Sequence, residues 1–159
     1  MSKTAIMGFG NPLRSDDTVG CYVIDELTAF YMNSREVTLF DMGTSAYEIL
    51  YKLKGHDYII LIDGEVDSGE PPGTILKLRP QEIESALKDE PLMVVQGLKW
   101  DQALSYAKSI LKDEYPDRID VYLVAIDDTR LNAGMSFDVE KAGDEVVRLI
   151  RKSIAEVGI

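Results

Sequence analysis

Residues 5–20, which read Ala-Ile-Met-Gly-Phe-Gly-Asn-Pro-Leu-Arg-Ser-Asp-Asp-Thr-Val-Gly, constrain the fold more than any other stretch of the chain. The apolar run Ala5-Ile6-Met7 reads as a buried first strand. Val19, Tyr22, Val23 and Leu27 recur at helical spacing after it. A strand, a tight glycine-bearing turn and a helix form the opening unit of an α/β fold. Glycine-rich turns at this junction usually cradle phosphate, because free N–H groups at a helix N-terminus attract anions. Asp16 and Asp17 put negative charge where a phosphate needs positive surroundings. The turn therefore suits a cation, a proton or a peptide bond better than a nucleotide.

The same alternation continues along the chain. Spacing and turn residues predict strands over 3–8, 36–40, 58–62, 74–78 and 121–126. Helices are predicted over 19–31, 46–53, 81–87, 100–111 and 139–157, with Thr44 or Ser45 as the N-cap of the second. The run 58–62 is apolar throughout and ends at Asp63, as suits a strand covered on both faces. Strand 74–78 follows too closely on the third to allow a helical crossover, so it is expected to run antiparallel. Without repeats or linkers, residues 1–159 read as a single three-layer α/β domain, a mostly parallel twisted sheet with helices on both faces.

Composition narrows the function classes. A chain of 159 residues that is 45% hydrophobic can bury a full core. A net charge of −11 argues against a nucleic-acid surface and suits an enzyme or a protein that meets a basic partner. Cys21, the one cysteine, excludes an internal disulfide framework and a cysteine-rich zinc site. No apolar run reaches membrane-spanning length and nothing reads as a signal peptide, so a cytoplasmic protein is expected.

Ligands of open α/β sheets bind beyond the carboxyl ends of the strands, where the winding reverses. If the first and third strands are neighbours, Asp17 and Asp63 meet at that edge. Two converging carboxylates can bind a cation, share a proton or polarise a water. Plainer roles fit the same residues. Asp16, Asp17 and Thr18 suit a helix cap, Asp63 before Gly64 suits a turn, and Asp127 and Asp128 suit a solvated turn. Cys21 reads as a small core residue. His56, the one histidine, lies about 20 Å from Asp63 along an extended strand and belongs to the opposite edge as a solvated loop residue.

Several spaced blocks together resemble the [NiFe]-hydrogenase maturation endopeptidases, which trim the C-terminal extension of the hydrogenase large subunit. The first is Gly8, Gly10, Asn11, Asp16, Asp17 and Gly20; the second is Asp41-Met42-Gly43-Thr44-Ser45. The third runs from Ile62-Asp63 to Ser68-Gly69-Glu70-Pro71-Pro72-Gly73-Thr74-Ile75, and the last is Leu131-Asn132-Ala133-Gly134-Met135-Ser136. The resemblance implies a peptidase whose site residues are Asp17 and Asp63. The family's third site residue is a histidine; Gln96 is the nearest polar stand-in here, and Thr18 replaces a usual glycine. It further implies no intrinsic cofactor, a nickel ion recognised within the precursor, and metal contacts from Asp17, Asp63 and Gln96. Gly43, Thr44 and Ser45 are the implied binding residues for the substrate tail.

Two other classes stay open on sequence. A nucleotide-binding Rossmann module would use Gly8 and Gly10 with Asp41 at a ribose, although Leu13 stands where its third glycine belongs. A non-catalytic maturation partner would bind the precursor without cutting it.

Overall fold

The computed structural model describes residues 3–45, 48–79, 99–131 and 133–158. The predicted helix over 81–87 and Gln96 lie outside the described residues. The chain forms β1 (Thr4–Phe9), a 3-10 turn (Ser15–Thr18), α1 (Val19–Tyr31), β2 (Val37–Gly43) and α2 (Ile49–Lys52). There follow β3 (Tyr58–Glu65), β4 (Ile75–Leu78), α3 (Lys99–Leu111), β5 (Arg118–Ala125) and α4 (Phe137–Glu156).

The five strands lie in the order β2-β1-β3-β5-β4. All neighbours are parallel except β4, which runs antiparallel to β5 as the short connection requires. The alternating side chains of the buried strands build two cores. On one face Met7, Phe9, Ile59, Leu61 and Leu123 pack under Ile49, Leu53, Ala103 and Leu104 of α2 and α3. On the other, Ile6, Ile60, Ile62 and Val124 pack under Val23 and Leu27 of α1 and Val146 and Ile150 of α4. Each such aliphatic side chain contributes about 1.5–3 kcal/mol by leaving water, which is what holds the three layers together.

With α1 on one face and α2 on the other, the chain steps outward from β1 to β2 and then returns past β1 to β3. The winding therefore reverses between β1 and β3, whose residues Gly8 and Ile62 are lateral partners. The expected neighbours are neighbours.

Several boundaries move for non-local reasons. β3 continues past Ile62 to Glu65 because β5 runs beside it, with Asp63 opposite Leu123 and Glu65 opposite Ala125. β2 likewise extends through Asp41, which lies opposite Gly8. Neither Thr44 nor Ser45 caps α2. That helix is a single turn with Glu48 at its N-cap and no side-chain cap bond, because the chain first turns at Gly43 (φ 56°) and through Ser45 N–H to Met42 O. Thr18 does stand at the N-cap of α1, but the helix is entered through the 3-10 turn, and no side-chain bond from Asp16, Asp17 or Thr18 caps its start.

Candidate active site

Glycines let the first turn of α1 close on the strand ends. A Cβ on Gly20 would land on the carbonyl oxygen of Phe9 and come within 3.0 Å of Ile62 O, so only hydrogen fits there. Gly10 sits at φ 145° with its own Cβ position blocked by the Asp17 carbonyl. The 3-10 turn consequently packs against β3, the strand that carries Asp63.

Inside this turn five backbone amides are already engaged. Asn11 N–H donates to Asp17 Oδ2 at 3.0 Å, and Leu13 N–H to Asn11 Oδ1 at 2.9 Å. Gly10 N–H donates to Gly43 O at 2.8 Å, Arg14 N–H to Asn11 O at 3.1 Å, and Asp17 N–H to Arg14 O at 2.9 Å. A phosphate cradle needs those donors free. The nucleotide reading of the glycine motif has no room in this geometry.

Asp17 is half-buried, and that burial pushes its carboxyl above the ordinary aspartate value, against the opposing pull of Asn11 N–H and Arg14. Its Oδ1 accepts no hydrogen bond among the described residues. Asp63, also half-buried, lies among the last residues of β3 rather than after it, and its Oδ1 accepts Gly64 N–H at 2.8 Å. Two residues on, Glu65 shares that face of β3 and is half-buried, with burial raising its carboxyl too. Sequence reasoning passed over Glu65; the period-2 spacing Asp63-Gly64-Glu65 was the available signal.

The loop after β2 lies beside the motif, since Gly43 O takes the Gly10 amide. Asp41 Oδ1 holds Gly43 N–H at 3.1 Å and the Cys21 thiol at 3.4 Å. Thr44 at the tip is exposed and Ser45 is partly buried. Cys21 itself is buried, and burial together with the Asp41 carboxylate pushes its thiol up to about 12, which removes it as a nucleophile.

Other acidic residues are used elsewhere. Asp128 binds Arg130 in a fork, with Oδ1 at 2.9 Å from Nε and Oδ2 at 2.7 Å from the guanidinium. That partner holds its carboxyl down at about 2. His56 does sit at the opposite edge, but half-buried rather than solvated. Its Nδ1 lies 2.9 Å from Lys52 O and its ring stands edge-on to Phe40. Among the described residues, no group of three or more His, Cys, Asp and Glu side chains is arranged to hold a metal.

Residues 21–153 match the sequence profile described as hydrogenase maturation protease. The chain belongs to this family. Membership makes it a peptidase, and solved structures of the same fold match it along nearly the whole chain. Hydrogenase 2 maturation protease of Escherichia coli K12 is 23% identical over 157 residues, covering 99% of this chain and 93% of that protein. Among solved structures, the hydrogenase maturating endopeptidase HybD of E. coli superposes with a TM-score of 0.82 at 23% identity, covering 98% of this chain and 94% of the other. The [NiFe] hydrogenase maturation protease HybD of Thermococcus kodakarensis gives 0.73 at 18% identity, covering 94% and 97%. This maturation protease shares their fold; its site must be argued from its own residues.

Proposed function

We propose that this maturation protease removes the C-terminal extension of a nickel-loaded [NiFe]-hydrogenase large-subunit precursor, with Asp17 and Asp63 as its hydrolytic pair. The observation that carries the reading is the reversal of winding between β1 and β3, which sets the Asp17 turn against the strand bearing Asp63. Peptide hydrolysis needs one group to take a proton from water and another to give one to the leaving amine. Burial suits Asp17 to hold the proton, and its Oδ1, which accepts no hydrogen bond among the described residues, leaves an oxygen for the substrate. Asp63 is the partner that orients and deprotonates water.

Nickel enters this scheme as part of the substrate. Carboxylates with the Gln96 amide make a hard, oxygen-based donor set in place of one that includes imidazole, and such a set holds free nickel weakly. The metal is then read only where the precursor presents it. Gly43, whose carbonyl takes the Gly10 amide, holds the substrate tail together with Thr44 and Ser45. We place this step in the cytoplasm; among the described residues no helix is long and apolar enough to cross a membrane.

The test is incubation of the purified protein with nickel-loaded and nickel-free precursor, followed by mass measurement. Shortening of the loaded form alone is expected. A stable complex with no shortened product would overturn the peptidase reading in favour of a binding partner.

A further inference from the structure

Asp16 stands beside the proposed catalytic Asp17, yet the hydrolytic chemistry makes no use of it. It is only 1% exposed. Its Oδ1 accepts Ser136 N–H at 2.7 Å and its Oδ2 accepts Asp128 N–H at 3.3 Å. Its own N–H donates to Asp128 O at 2.9 Å. The preceding Ser15 donates its hydroxyl to Arg130 O at 2.5 Å. Ser15 also takes φ 45°, a left-handed conformation that a non-glycine residue keeps only where its surroundings impose it. All of these bonds run from the 3-10 turn to the segment between β5 and α4.

We infer that Asp16 is a positioning residue for hydrolysis, clamping the turn that presents Asp17 to the loop ahead of α4. The inference rests on the reading of Asp17 as a site residue. A buried carboxylate is costly unless its oxygens are satisfied, and here two backbone N–H groups from separate places satisfy one oxygen each. An asparagine supplies only one such acceptor and turns its NH2 toward the other donor. Asp17 follows directly in the chain and reaches back to Asn11, so slack at Asp16 is passed to the carboxylate that must meet substrate. Small misplacements of a reacting group lower kcat by up to about a hundredfold.

Two variants loosen the clamp from opposite ends. Asp16→Asn removes an acceptor. Ser136→Pro removes the N–H donor at a position whose φ of −68° accommodates proline, and it keeps the carbonyl that accepts Glu140 N–H. Trimming kinetics on nickel-loaded precursor and amide exchange at Asn11 are measured for both, alongside thermal unfolding. In each variant, folded at the assay temperature, kcat is expected to fall about tenfold to a hundredfold with KM changed by less than about twofold. Exchange at Asn11 is expected to quicken, because Asp17 no longer holds that amide steadily. Wild-type kcat in the folded variants, or unchanged Asn11 exchange, overturns the inference. So does loss of folding in both, which would make Asp16 a residue of the fold alone. If the wild-type protein trims no precursor, the peptidase reading fails, and Asn11 exchange still decides whether Asp16 clamps the turn.

Discussion

The carboxylate of Asp17 closes the glycine turn on itself by accepting the Asn11 amide at 3.0 Å. One oxygen is spent on the backbone, and the other accepts no hydrogen bond among the described residues, in a side chain that is half-buried. An acidic side chain thereby takes a backbone donor that a phosphate-binding turn would keep free for its ligand.

Burial of that carboxyl has a consequence for stability. Its pKa in the folded protein lies above 3.8, so the unfolded chain ionises first as pH rises. Stability from this group is fully present below 3.8 and is lost as pH climbs through the raised folded value. Asp17→Asn, which keeps an acceptor for Asn11, is therefore expected to be more stable than wild type at neutral pH. The gain should vanish in acid below 3.8. Denaturant titrations at the two pH values check this, and an equal gain at both would contradict it.

Gly20 is the contact on which the helix–sheet approach depends. Gly20→Ala drives a methyl into Phe9 O and toward Ile62 O, so α1 must back away from both strands. A loss of about 1–3 kcal/mol in stability is expected from such overpacking, with a drop in trimming rate beyond what the unfolded fraction explains. Chemical denaturation and kinetics on the same preparation separate the two effects.

Cys21 should be a bystander. Its thiol is buried and raised to about 12, so alkylating reagents at mildly alkaline pH are expected to leave the native protein active and unmodified. Cys21→Ala should trim precursor at the wild-type rate. Mass measurement after iodoacetamide treatment, with an activity assay, decides it.

At the far edge of the sheet, Asp120 is fully buried between Arg118, at 2.8 Å, and Tyr58 Oη, at 2.5 Å, with Lys77 at 3.9 Å. Asp120→Ala strands those partners. Because Arg118 and Lys77 reach solvent, the cost should fall toward the lower end of the ~3–5 kcal/mol seen for broken buried pairs. Catalysis per folded molecule should be unchanged, since the network lies away from the carboxyl ends of β1 and β3. Active-site titration against total protein tests both halves of that statement.

What could be read from the chain alone was local. The strand–turn–helix of residues 5–20 and the apolar run ending at Asp63 carry their own signals in spacing and composition, and those signals put both carboxylates at one edge. The structure added relations that depend on distant chain. β3 runs past Asp63 only because β5 pairs with it, and Asp16 finds Ser136 from the opposite end of the sequence. Thr44 and Ser45 look like caps by composition, but the turn at Gly43 uses that stretch first. Glu65 was hidden because a carboxylate two residues after another reads as surface until the strand is known to continue.

The most direct measurement is the catalytic efficiency of Asp17→Asn, Asp63→Asn and the double variant on nickel-loaded precursor. Residues that act as one hydrolytic unit lose nearly the whole rate when either is removed. Each single variant is therefore expected to fall by at least about a thousandfold, and the double variant to be no worse than the weaker single one. Losses that add across the two sites, or a single variant that trims at the wild-type rate, would contradict the pairing of Asp17 with Asp63.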